Sequence, residues 1–267
     1  MTIKNIIIIT KDSSDDIIEL AKKIKSFIEL NKYQYHTTIY LDMCVPKNPV
    51  ADFVITIGGD GTILKTIKDI GTQLPIVGIN MGGVGFLADI EKDDAISTID
   101  QILKSFEINE RIRIDMSIVN TLILDTALNE IAISNFKPGK LLDFSIIIDD
   151  VETQQFRADG IIISTPTGST AYAMSAGGPI IDPLIRGLLI VPVAPYLLSS
   201  RPQVISDHHD VRILLKGNEH GSVVIDGQPL YNLSPGDELA VRISDNPAKF
   251  IDVGKNFFIT VGKKLKR

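Results

Sequence analysis

Residues 53–62 read Phe53-Val54-Ile55-Thr56-Ile57-Gly58-Gly59-Asp60-Gly61-Thr62, an apolar strand that runs without a spacer into a glycine-rich turn. Ile63, Leu64, Ile67 and Ile70 follow at helical spacing and Gly71 ends the run, so the stretch is strand, turn, helix. Upstream, residues 5–10 are continuously apolar, as in a strand covered on both faces. Residues 13–16 then offer capping oxygens, and Ile17, Leu20, Ala21, Ile24, Phe27 and Ile28 repeat with the period of an amphipathic helix. Residues 35–41 alternate as a strand does. Downstream, residues 75–79 form a strand that meets a second glycine-rich turn at 80–86, and Ile96, Ile99, Leu103 and Phe106 mark a helix. This alternation predicts a Rossmann-like, doubly wound α/β domain over residues 1–108.

The texture changes near residue 110. Residues 111–119, 121–133, 144–148, 160–164, 211–215, 222–225, 238–243 and 250–253 read as strands separated by Gly, Asp, Asn and Pro turns. One helix is expected, at residues 170–177, and residues 188–198 read as buried strand and loop. The second domain is therefore all-β and spans 109–252, with a C-terminal segment at 253–267.

Composition narrows the function classes. The chain has 267 residues and 44% hydrophobic side chains, enough for a sizeable core without staples. A net charge of −6 argues against a general nucleic-acid or anionic-membrane binder. Cys44 is the single cysteine, so neither a disulfide framework nor a cysteine zinc site is expected, and a reducing cytoplasm suits the chain. The apolar run at residues 6–9 is too short for a signal peptide, and Pro192 and Pro195 interrupt the most apolar later stretch. His36, His208, His209 and His220 lack metal-ligand spacing, and no direct protein ligand to a metal is assigned.

The chemistry gathers in a few loops. Gly58-Gly59-Asp60-Gly61 lies where a strand hands over to a helix, so it is either a plain turn or a place where the helix's free amides meet an anion. Asp60 argues against simple phosphate binding, because two charges about 4 Å apart repel by about 4 kcal/mol at an effective dielectric of 20. It suits a carboxylate that faces a hydroxyl or works through magnesium. Lys65 reads locally as a solvated helix lysine that could also neutralise phosphate. Asn129-Glu130 falls late in an apolar run, where local reasoning places it on an edge strand. At residues 157–172 an apolar strand leads into Thr165-Pro166-Thr167-Gly168-Ser169-Thr170-Ala171-Tyr172. Its hydroxyls and small residues suit a nucleoside, Ser169 or Thr170 can cap the following helix, and Tyr172 could stack on a base. Asp226-Gly227 reads as a hairpin turn.

In order and spacing, residues 58–61, 80–87, 129–130, 159–160, 164–172, 176–179, 200–202 and 226–228 together resemble the NAD kinase family, in a prokaryotic and archaeal-like form. The resemblance implies an α/β domain and an all-β domain with the site in the cleft between them, the last segment returning to the first domain. It implies phosphoryl transfer from ATP, or from polyphosphate, to the 2′-hydroxyl of the adenosine ribose of NAD, with a divalent metal, most simply magnesium, in a homodimer or homotetramer. Asp60 matches the catalytic aspartate; Gly58, Gly59, Gly61, Lys65 and Phe86 match the surrounding nucleotide site. Asn129, Glu130, Lys140, Arg157, Asp159, Thr170, Ala171, Tyr172, Ala173, Met174, Ser175 and Gln228 match dinucleotide contacts. Ala158 departs from a common glycine, which bears on the local backbone angles. A lipid or sugar kinase sharing the Gly-Gly-Asp-Gly-Thr loop, and a non-catalytic dinucleotide sensor, are the alternatives.

Overall fold

A computed structural model describes residues 4–30, 35–71, 74–83, 85–135, 137, 139–197 and 199–266. Val84 of the second glycine turn and Leu198 at the end of the 188–198 stretch lie outside them. The chain divides into two compact units, Met1–Glu110 with Ala248–Arg267, and Arg111–Pro247.

In the first unit the order is β1 (Asn5–Thr10), α1 (Asp15–Leu30), β2 (His36–Tyr40), β3 (Phe53–Gly58), α2 (Asp60–Ile70), β4 (Ile76–Asn80), β5 (Ile90–Glu91), α3 (Ala95–Lys104) and β6 (Ile108–Arg111). β1 pairs in parallel with β2 and β3, and β4 in parallel with β3 and β5. The central strands β1, β3 and β4 are short and buried almost throughout, as both-face coverage by helices requires. One face carries α1 and α3: Ile17, Leu20, Ile24, Ile28, Ile99 and Leu103 pack on Ile6, Ile8, Ile55, Ile57, Val77 and Ile79. The alternate positions of the strands serve α2, whose Ile63 side chain lies so close to Gly78 that a Cβ there would sit 2.5 Å from it. Gly71 ends α2 in the left-handed conformation, at φ 61°.

The second unit holds β7 (Ile114–Ile118), β8 (Leu124–Ala127), β9 (Glu130–Asn135), β10 (Leu142–Ile148), β11 (Val151–Ala158), β12 (Gly160–Ser164), α4 (Tyr172–Ser175), β13 (Gly187–Val193), β14 (Gln203–Ser206), β15 (Val211–Lys216), β16 (Gly221–Ile225), β17 (Gln228–Leu233) and β18 (Glu238–Ile243). Two antiparallel six-stranded sheets form, ordered β11-β10-β15-β18-β7-β8 and β14-β13-β12-β9-β16-β17. Alternating side chains from both, among them Phe144, Phe156, Ile131, Ile163, Ile213 and Leu239, make one core.

The chain then returns to the first unit with β19 (Ala248–Ile251) and α5 (Phe257–Lys264). β19 lies between β4 and β6 in the first sheet. The crossing thus comes at 248 rather than after 252, because Phe250 and Ile251 are core residues of the parallel sheet. The first unit is mixed α/β and the second β-rich; α4 and a 3-10 turn at Thr167–Thr170 keep the second from being purely β.

Candidate active site

In the first unit β3 delivers its last residue, Gly58, directly to Gly59, the N-cap of α2. No side chain caps that helix, so its first amides are free to meet an anion. Gly59 and Gly61 have open space where side chains would stand. With Gly58, Lys11, Met43, Thr62, Asn80, Met81 and Gly83 they line a depression of about 340 Å³.

Asp60, the first residue of α2, is held by the second glycine loop. Its Oδ2 accepts the amide of Phe86 at 2.6 Å, and its Oδ1 accepts those of Leu87 at 3.0 Å and Ala88 at 3.1 Å. The loop reaches the carboxylate because Gly85 lacks a Cβ, which would lie 2.3 Å from Oδ1. Asn80 braces the same loop: its Oδ1 accepts the amides of Gly82 and Gly83, and its Nδ2 donates to the Gly83 carbonyl. The loop is therefore a cradle for the acid, beyond the plain turn its glycines allow. A carboxylate has about four acceptor positions, and three are used here. Lys65 sits one turn along α2 and pairs at 2.5 Å with Asp69, four residues on, at the helix surface.

In the second unit the 128–130 segment is the centre. Residues 121–133 are two strands, β8 and β9, broken at Leu128 and Asn129. β9 is an interior strand, paired with β12 and β16, so Asn129-Glu130 is not at an edge; Glu130 is 6% exposed. Asp226 satisfies the backbone of this segment. Its Oδ1 accepts the amides of Asn129 at 2.7 Å and Glu130 at 3.1 Å, and its Oδ2 that of Leu128 at 2.9 Å. Asp226 and Gly227 form the two-residue turn between β16 and β17, both with positive φ (47° and 78°), as the Asp-Gly pair predicts. Burial, and then the nearby Asp226 charge, push the Glu130 carboxyl up to about 7, against a hydrogen bond from the Tyr172 amide.

The 164–172 segment locks onto the same place. Thr165 donates its amide to the Asn129 carbonyl at 2.8 Å and its hydroxyl to the Leu128 carbonyl at 2.6 Å. Gly168 lies against the Asn129 carbonyl, where a Cβ would come within 2.1 Å. Ser169 and Thr170 are not helix caps: Ser169 donates to the Pro166 carbonyl and accepts the Ile181 amide, and Thr170 donates to the Thr167 carbonyl. The helix expected over 170–177 is only α4, because residues 167–170 are spent on this 3-10 turn. Ala173 is buried in a small cluster with Ala132, Ile162 and Val191, and Thr170 is buried as well. Ala171 and Met174 are half-buried, and Tyr172 and Ser175 are exposed. Tyr172, Lys140 and Asp159 line a groove of about 400 Å³ with Asn135 and Gly160. Arg157 on β11 and Gln228 at the start of β17 are exposed and outside that lining. Ala158 has no positive φ and is fully buried, so an alanine is accommodated where a glycine is common.

Two family models match the chain, the ATP-NAD kinase N-terminal domain over residues 38–107 and the ATP-NAD kinase C-terminal domain over residues 128–253. The chain belongs to the NAD kinase family. It is 42% identical to an NAD kinase of Methanospirillum hungatei over 98% of this chain and 99% of that one. An NAD kinase of Methanoregula boonei is 49% identical over 81% of this chain and 80% of its own. The solved structure of an NAD kinase from Archaeoglobus fulgidus in complex with ATP superposes with a TM-score of 0.83 at 28% identity, covering 98% of this chain and 99% of that chain. A yeast NADH kinase shares the fold, with a TM-score of 0.85 at 24% identity over 100% of this chain and 88% of its own. As a member of the NAD kinase family, the chain is an enzyme that phosphorylates NAD with ATP.

Sequence reasoning missed Asp226 as a functional residue, since its turn role alone explained it. The choice of Asp in a turn that Asn serves equally well was the available signal. Arg113, whose charge faces Asp226 and whose Nε is buried without a partner among the described residues, carried no local signal at all.

Proposed function

We propose that phosphoryl transfer goes to the 2′-hydroxyl of the adenosine ribose of NAD, with Asp60 receiving the hydroxyl proton. The observation that carries this reading is the cradle of three amides around Asp60. It fixes the carboxylate at the head of α2 and leaves about one acceptor position for a substrate hydroxyl. The adjoining depression at Gly58, Gly59 and Gly61 offers free helix amides to the donor's phosphates. Asn129, Glu130, Lys140, Asp159 and Tyr172 of the second unit then hold the dinucleotide. Lys65 is left out of this machinery, because it does not line that depression.

Magnesium fits as a companion of the donor's phosphates. Among the described residues no three His, Cys, Asp or Glu side chains converge to hold a metal. Magnesium is commonly held by substrate phosphates, waters and one or two carboxylates, and bound there it would neutralise donor charge. A cytoplasmic setting and a dimer or tetramer complete the proposal. Cys44 is free and exposed, as a reducing compartment allows, and no described helix is long and apolar enough to cross a membrane. Leu184, Ile185, Tyr196 and Leu197 are exposed apolar side chains of the second unit that a partner copy would cover. A coupled assay pairing NAD or NADH with ATP or polyphosphate tests the reading: it expects NADP from NAD and ATP, and no phosphorylated dinucleotide in any pairing would refute it.

A further inference from the structure

The C-terminal helix places an ammonium group beside the Asp60 cradle. α5 starts at an Asn256 cap, whose Oδ1 accepts the Ile259 amide at 3.1 Å, and its last residue is Lys264. The Lys264 Nζ stands 5.1 Å from the centroid of the Phe86 ring, and it is the Phe86 amide that binds Asp60 Oδ2. The ammonium is thus fixed on an aromatic face beside the acid, a placement that a lysine serving only the helix dipole does not need. Among the described residues it has no carboxylate within ion-pairing distance, although it is half-buried. Burial pushes its pKa down, while the charges of Asp60, Asp89 and Glu91 push it up and Lys255 pushes it down.

Lys264 opens onto a cavity of about 670 Å³ within the first unit. One wall is the loop at Asn80, Gly82 and Gly83, which also borders the depression at Gly58, Gly59 and Gly61. The other is α5 and its flanks, with Lys255, Lys263 and Lys266. Asp89, Glu91 and Asp94 leave the lining with four lysines against three carboxylates. An anionic chain that approaches Asp60 along the glycine loop is repelled by that carboxylate and needs a cation on the same side. Lys65, on the surface of α2 beside Asp69, lines neither hollow.

We propose that Lys264 and the cavity between α5 and the 80–83 loop bind the phosphate chain of the phosphoryl donor, with the Lys264 ammonium contacting a phosphate oxygen. The chemistry recognised is a linear chain of three or more phosphates, whether from a nucleoside triphosphate or from inorganic polyphosphate. This rests on the proposed function, and the two separate experimentally. Lys264→Ala and Lys264→Arg are compared with the wild-type chain in NADP formation, once with ATP and once with polyphosphate as donor. Binding of inorganic tripolyphosphate is measured in parallel by calorimetry. Losing a charge-assisted contact raises the donor KM by about tenfold or more, weakens tripolyphosphate binding to match and leaves the KM for NAD within about twofold. Arginine restores most of the donor affinity. An effect with one donor alone identifies the source of the chain. A donor KM and tripolyphosphate affinity within about twofold of wild type in Lys264→Ala, with both substrates still turned over, would overturn the proposal. Where the alanine variant does not fold, Lys264→Gln gives the same reading. A wild-type chain that binds tripolyphosphate through Lys264 yet makes no NADP would sink the proposed function instead.

Discussion

Asp226→Asn is the most informative perturbation of the second unit. Asparagine tolerates the positive φ of 47° at this position and has nearly the same shape, so the turn survives. Its carbonyl can still accept the Asn129 and Glu130 amides. The Oδ2 position, however, becomes an NH2 group that faces the Leu128 amide across 2.9 Å. One donor is left without an acceptor in a buried segment, at a cost of about 1–3 kcal/mol. The two remaining bonds also lose their charge. Because the segment carries Asn129 and Glu130, the same displacement raises the KM for NAD by about tenfold for each 1.4 kcal/mol of lost binding. The donor KM stays near its original value, since the residues proposed to hold the donor lie in the first unit. Urea unfolding and steady-state kinetics on one preparation read both effects. An unchanged unfolding midpoint with an unchanged KM for NAD would show that the three amides at Asp226 do not organise the site.

Gly85→Ala drives a Cβ to within 2.3 Å of Asp60 Oδ1; turnover falls at least 100-fold while NAD still binds, which calorimetry and the coupled assay check together. Glu130 makes stability fall as pH rises. Its folded pKa of about 7 lies above the ordinary 4.5, so its contribution is full below pH 4.5 and is lost through pH 7, an upper limit of about 3 kcal/mol. Asp226, also pushed up by burial, acts with the same sign. Glu130→Gln therefore flattens the melting temperature between pH 5 and 8; an equally steep slope in the variant would assign the titration elsewhere. Tyr172→Ala raises the KM for NAD more than that for ATP, and equal rises would remove Tyr172 from the dinucleotide groove.

The first unit was largely readable from the chain because its elements are local. The apolar run at β1, the 3.6-residue period of α1 and the Gly71 stop after α2 each announce themselves within a few residues. The motifs at Asp60 and at residues 164–172 were equally plain. What was hidden are contacts across long sequence separations. Asp226 and Leu128 are 98 residues apart, and the choice of Asp in its turn does not say which amides it meets. The return of the last segment was implied by the family resemblance, but nothing local announced that β19 enters the parallel sheet or that Lys264 meets Phe86, and the interior position of β9 depends on strands on both of its sides. Residues 167–170 misled in another way. Hydroxyl side chains cap helices and also bind carbonyls in tight turns, and only the nearby Pro166, Thr167 and Ile181 backbone decides between the two.

In the proposed reaction Asp60 carries the chemistry. The measurement that addresses it most directly compares wild type and Asp60→Asn for NADP formation from NAD and ATP, with NAD affinity measured on the same samples. The variant loses most turnover and keeps NAD binding. Near-wild-type turnover in Asp60→Asn would contradict it.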